Sequence, residues 1–90
     1  MKKRDRLQVI YDILKAIEER NGKIKPTHIL YKSNLSHQMM EEYLAELILK
    51  DFVNEQESES GKTYKLTEKG FDYLSRYRLI EDFITYFDLN

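Results

Sequence analysis

Ninety residues with 41% apolar content suit one small domain with a single modest core, and the lack of cysteine excludes disulfides and thiolate metal sites. No apolar stretch reaches membrane-spanning length, and the Lys2-Lys3-Arg4 start lacks the apolar run of a secretory signal, so a soluble, cytoplasmic protein without membrane contact is expected. The net charge of −1 is unevenly spread: basic against acidic residues number nine to four over residues 1–34, one to seven over 35–61, and five to five over 62–90.

Asp5 is the predicted N-cap of a first helix, with Gln8 three residues on as a weak capping-box partner. Leu7, Ile10, Ile13, Leu14 and Ile17 form its apolar stripe, and Asn21-Gly22 supplies the stop. Lys23-Ile24-Lys25 reads as a short strand with Ile24 turned inward. Pro26 suits the first turn of a second helix running to about Lys32, with Thr27 as the alternative start. Ser33-Asn34-Leu35 then makes a turn, with Leu35 placed to plug the core between helices two and three.

Ser36 is a good N-cap for the third helix, and Met40, Tyr43, Leu44, Leu47 and Ile48 recur at three-and-four spacing behind it. That helix gives out at Lys50-Asp51. Phe52–Gln56 and Thr63–Leu66 read as two short strands around a polar tip, Glu57–Lys62. Thr67 caps the last helix, with Glu68 in the first turn, where the helix dipole favours an anion. The resulting fold class is α+β and mostly α: a winged helix-turn-helix with a three-helix core, a two- to three-stranded wing and a long C-terminal helix. The expected division is a winged-helix domain over residues 1–70 and a C-terminal helix over 71–90.

The last helix has length to spare. Phe71 and Leu74 lie one turn apart and are expected to pack on the domain. Beyond them Tyr73, Tyr77, Ile80, Ile84 and Phe87 follow a four-three-four-three spacing, the seam of a coiled coil, broadened by Leu79, Phe83 and Tyr86. A large exposed apolar stripe marks an interface. Tyr73, Tyr77, Ile80, Phe83, Ile84 and Phe87 are therefore the expected contacts of a homodimer; the alternative is a helix that folds back on its own domain.

On Lys25-Pro26-Thr27, Tyr31-Lys32-Ser33-Asn34-Leu35-Ser36, Tyr43-Leu44 with Leu47, and Tyr64-Lys65-Leu66-Thr67-Glu68-Lys69-Gly70, the chain resembles the archaeal winged-helix regulators, a family of small DNA-binding proteins. The resemblance covers roughly residues 7–78 and extends to small archaeal chromatin-associated proteins. It implies a winged-helix fold, binding of double-stranded DNA in transcriptional regulation, and dimerisation through the C-terminal helix in an antiparallel coiled coil. One departure stands out: where the family commonly carries lysines on the outer face of the recognition helix, this chain has Glu41, Glu42 and Glu46, with Glu55, Glu57 and Glu59 on the wing.

With DNA as the ligand, the N-terminal half of the third helix enters the major groove and presents His37, Gln38 and Glu41, with Ala45 one turn on. Gln38 has the chemistry to pair with adenine N6 and N7, and Glu41 to accept from cytosine N4. Phosphate grip is assigned to Lys25, Thr27 and Lys32 around the second helix and to Lys62, Thr63 and Lys65 on the wing, and Ser36, the cap of the third helix, is counted among the DNA-binding candidates. Lys2, Lys3, Arg4 and Arg6 add a flexible basic arm, for about four to six phosphate contacts per protomer. The alternative partner is a basic protein docking on the acidic third helix and wing. Catalysis lacks support. His28 and His37 lie on different helices without ligand-spaced carboxylates, and Gly22, Gly61 and Gly70 build no phosphate loop. No enzymatic activity, metal or cofactor is expected. Tyr43, Tyr64, Tyr73 and Tyr77 fall on core or seam faces, which argues against a stacking platform for single strands.

Overall fold

Asp5 opens the first helix as expected, its backbone extended and its carboxylate accepting from the Gln8 amide at 2.8 Å. The computed structural model describes residues 4–89. Helix α1 spans Arg6–Glu19, α2 Pro26–Ser33, α3 His37–Leu49 and α4 Glu68–Tyr86, with strands β1 Val53–Ser58 and β2 Gly61–Leu66 between the last two helices. This is the winged helix-turn-helix order read from the sequence.

One core joins all the elements. Val9, Ile10, Ile13, Leu14 and Ile17 from α1 meet Ile24, Ile29 of α2, Met40, Leu44 and Leu47 of α3, Val53, Tyr64 and Leu66 of the wing, and Leu74 of α4. Two expectations need correction. Leu7 is exposed while Val9 is buried, because the buried face of α1 is centred on Ile13 and turns the Leu7 side chain to solvent. Phe71 is likewise exposed, whereas Leu74, one turn on, is fully buried.

The third strand shrinks to one residue. Ile24 pairs antiparallel with Tyr64, whose N–H donates to the Ile24 carbonyl at 3.1 Å and whose carbonyl accepts from Gly22 at 2.9 Å. Pro26 starts α2 two residues later, so the ladder ends there. The Asn21 side chain extends this edge by accepting from the Leu66 amide at 2.7 Å. The wing strands are longer than expected. Val53 pairs with Leu66 and the ladder runs out to Ser58 opposite Gly61, so the turn is only Glu59-Ser60. Gly61 takes φ +116°, a conformation that favours glycine.

The start of α4 is clamped to the α3–β1 corner. The Thr67 hydroxyl accepts from the Gly70 amide at 3.1 Å and donates to the Asp51 carbonyl at 2.6 Å. The Lys69 ammonium donates to the Lys50 carbonyl at 2.9 Å and lies 4.6 Å from the centroid of the Phe52 ring. Further along, Tyr77 stacks on Tyr11 of α1 with centroids 4.6 Å apart, and Arg78 pairs with Glu18 at 2.8 Å. Beyond Arg78 the helix leaves the body, which gives the molecule its 48 × 28 × 21 Å extent. Among the described residues no helix is long and apolar enough to cross a membrane.

Candidate nucleic-acid interface

The turn between α2 and α3 sets the presentation of α3. Asn34 ends α2 in the left-handed conformation, φ 53°, and Ser36 caps α3 by accepting from the Met39 amide at 3.2 Å. Arg4 braces this turn from behind. Its guanidinium donates to the Ser33 and Asn34 carbonyls at 2.8 and 3.1 Å and pairs with Asp12 at 2.6 Å. The expected flexible arm is thus corrected for two members: Arg4 is a strut, and Arg6 lies in α1 and pairs with Glu46 of α3. Lys2 and Lys3 lie outside the described residues.

His37, Gln38, Glu41 and Ala45 are all exposed on α3, as required of a surface that meets a groove. They are not idle. His37 Nε2 lies 3.6 Å from Glu41 Oε1, and the Gln38 amide donates to Glu42 at 3.2 Å. Glu46 is a different case from the other two acids of this helix. Lys50 donates to it at 2.8 Å and Arg6 reaches the same oxygen, so its carboxyl is held below the usual range, the Lys50 bond contributing most. Its charge is locally balanced, and Glu41 and Glu42 carry what repulsion α3 offers a phosphate.

Most of the lysines assigned to phosphate already have partners. Lys25 donates to the Ser60 carbonyl at the wing tip at 3.1 Å, and Lys32 lies 3.5 Å from Glu19. Lys62 pairs with Glu55 at 3.0 Å, and that bond raises its pKa. Lys65 is half-buried and takes part in no ion pair among the described residues; Thr27 is exposed in the first turn of α2. Thr63 is corrected: at 8% exposure it is closed to a phosphate, because Gln56, directly opposite on β1, reaches across that face of β2 to within 3.9 Å of a Cβ position at Gly22. Ser36 is exposed, with its hydroxyl committed to the cap.

Between α3 and the wing lies an open cleft of about 340 Å³, walled by His37, Glu41 and Leu44 on one side and Glu55, Lys62 and Tyr64 on the other. Glu55 and Tyr64 were absent from the expected site. Their signal was strand alternation: Glu55 stands directly opposite Tyr64, so both share the face turned to α3.

On α4, the seam divides at Arg78. Tyr73 and Tyr77 are half-buried against the same chain, Tyr73 through a 2.6 Å hydrogen bond to the Leu7 carbonyl and Tyr77 through its stack on Tyr11. Ile80, Phe83 and Phe87 are each more than half exposed, at 55, 58 and 55%, and Ile84 is half-buried. Phe83 and Phe87 rest on each other with centroids 4.8 Å apart.

The family model for the winged helix-turn-helix matches residues 3–85, nearly the whole chain. The chain belongs to the winged helix-turn-helix family. This winged-helix chain is 34% identical over 68 residues to an uncharacterised protein of Methanocaldococcus jannaschii, a match covering 76% of the chain and 29% of that relative. It therefore spans less than a third of the relative's length. Among solved structures, it resembles Sso10a-2, a DNA-binding protein from Sulfolobus solfataricus, at TM-score 0.75 and 26% identity over 94% of this chain and 83% of that one. The winged-helix DNA-binding protein F93 from STIV gives TM-score 0.68 and 26% identity over 91 and 92% of the two chains. A MepR variant from S. aureus, bound to an oligodeoxyribonucleotide, gives TM-score 0.76 at 13% identity over 90 and 62%, a likeness of fold alone.

Proposed function

We propose that the protein is a double-stranded DNA-binding transcriptional regulator that acts as a homodimer. The observation that carries this is α3, braced by Arg4 at its entry and presenting His37, Gln38, Glu41 and Ala45 to solvent beside a hairpin wing. This is the geometry by which a recognition helix enters a major groove. Two structural relatives of 26% identity with DNA binding in their names support the same function. The exposed apolar end of α4, with Ile80, Phe83 and Phe87, supports self-association, which would present two such helices to paired half-sites. The balanced lysines imply a phosphate grip that is modest rather than strong. Fluorescence anisotropy of a random 30-base-pair duplex, titrated at low and then moderate salt, tests the proposal. Binding that weakens with salt, with the shallow slope of a few phosphate contacts, is expected.

One specific observation favours a second function, docking of a basic protein segment on the α3–wing face. Glu41 and Glu42 remain without a lysine or arginine partner among the described residues, while Lys25, Lys32 and Lys62 are engaged inside the fold. The absence of any duplex binding at low salt would favour this function over general DNA affinity.

A further inference from the structure

Tyr64 carries a polar group that neither the core nor the DNA-facing surface uses. The residue is 95% buried, at 5% exposure, and its backbone is held on both sides by hydrogen bonds to Gly22 and Ile24. Its hydroxyl has no hydrogen-bond partner among the described residues, yet it is not sealed off, and Tyr64 lines the cleft between α3 and the wing. A rigidly held phenol oxygen at the wall of a cleft is a preformed hydrogen-bonding point for a ligand.

The surrounding chemistry specifies the ligand. Glu41 and Glu55 line the same cleft against one permanent cation, Lys62, which engages only Oε1 of Glu55. Burial raises the pKa of the Tyr64 phenol, and Glu55 and Glu41 raise it further against the opposing effect of Lys62, so the two carboxylates act on that oxygen. The remaining lining is His37, 3.6 Å from Oε1 of Glu41, and an apolar wall of Met40, Leu44, Ala45 and Ile48 from α3 with Pro26 from α2. Among the described residues there is no group of three or more metal-ligating side chains, which argues against a bare metal ion. An ammonium has three N–H donors and no acceptor, and outside the Lys62–Glu55 and His37–Glu41 pairs, which both use Oε1, the cleft offers three acceptors: the second carboxylate oxygens of Glu41 and Glu55 and the Tyr64 hydroxyl.

We propose that this cleft binds a free primary alkylammonium ion, its N–H donors on Glu41, Glu55 and Tyr64 and its methylene chain on Met40, Leu44 and Ile48. The size of the cleft, about 340 Å³, is at the small-molecule end of the range. His37 and Glu41 also belong to the face presented to DNA, so occupancy is tested in the absence of DNA.

The test is a titration of the isotope-labelled protein with n-butylamine at neutral pH, followed by amide NMR, with n-butanol and ionic-strength-matched sodium chloride as controls. Saturable shifts confined to α3 and the wing are expected, with half-saturation on the order of 1 mM for so small a ligand. Glu41→Gln with Glu55→Gln abolishes saturation, and Tyr64→Phe weakens binding several-fold, while shifts elsewhere stay at wild-type positions. Shifts that butanol reproduces, that grow linearly, or that are equal at Glu81 and Asp82 overturn the proposal. A blocked lysine that binds where butylamine does not would overturn the assignment to a free amine.

Discussion

The Tyr73 hydroxyl donates a 2.6 Å hydrogen bond to the Leu7 carbonyl and so ties the first half of α4 to the first turn of α1. Burial is the main cause that pushes this phenol up to about 12, with Tyr77 and Asp5 adding to it. A phenol whose folded pKa lies above its unfolded value near 10 contributes stability below that value and loses it as pH rises through 12. Urea denaturation is therefore expected to show a midpoint that is flat to about pH 9.5 and falls between pH 10 and 12. Tyr73→Phe costs about 0.5–1 kcal/mol at neutral pH and flattens part of that fall. Tyr64 and Tyr77, also raised chiefly by burial, keep the rest. An alkaline slope untouched by Tyr73→Phe would show that the bond does not hold the helix.

Gly70 sits where α4 passes the α3–β1 corner. A Cβ there would stand 2.4 Å from the Phe52 carbonyl oxygen and 3.3 Å from Leu66 Cδ2. In an open helix, alanine for glycine stabilises by about 1 kcal/mol. Here the contact is with backbone, and overpacking costs typically 1–3 kcal/mol, so the clash outweighs the propensity. With a 2.4 Å approach to backbone placing the clash at the upper end of that range, Gly70→Ala is expected to lower stability by up to about 2 kcal/mol net in urea denaturation. A variant as stable as wild type would mean that the corner yields without cost.

The order of elements was legible because each has its own local punctuation: Asp5, Ser36 and Thr67 all cap with their side chains, and Pro26 opens α2. What sequence spacing does not carry is the partner across space. Arg4 looks like a tail residue until the α2–α3 turn comes within 2.8 Å of it, and Glu46 looks like a repulsive charge until Arg6 arrives from α1. Thr63 alternates correctly with Tyr64, yet is buried because the Gln56 side chain, directly opposite, reaches across its face of β2 toward Gly22. The heptad spacing from Tyr73 onward is real, but its first two members are used against α1, where aromatic packing on the same chain competes with a partner helix.

Charge on α3 sets the strength of duplex binding. Glu41 and Glu42 are exposed, whereas Glu46 is balanced by Lys50 and Arg6. Glu41→Gln with Glu42→Gln is expected to tighten binding to a random duplex about three- to tenfold at low salt, and by less at moderate salt, where screening shortens the reach of both charges. Lys65, without an ion pair among the described residues, is the wing lysine free to meet phosphate. Lys65→Ala should reduce the slope of log K against log salt by about 0.9, while Lys62→Ala, which also frees Glu55, loses more affinity than one contact accounts for. Equal slopes in wild type and Lys65→Ala would take the wing out of the interface.

In the proposed homodimer the free end of α4 supplies the contact. Ile80 and Phe83 are 55 and 58% exposed in the single chain, so charging them leaves the core untouched. Ile84 is half-buried, and altering it would confound association with folding. Wild-type protein is expected to sediment as a dimer, and Ile80→Asp with Phe83→Asp as a monomer with the same circular dichroism and a lower thermal midpoint that no longer depends on protein concentration. Two carboxylates desolvated at an apolar seam cost several kcal/mol, about a hundredfold or more in the dimer dissociation constant. A monomeric wild type would remove the tail from self-association. The apolar surface at Leu79, Ile80 and Phe83 would then have to be covered by a different partner.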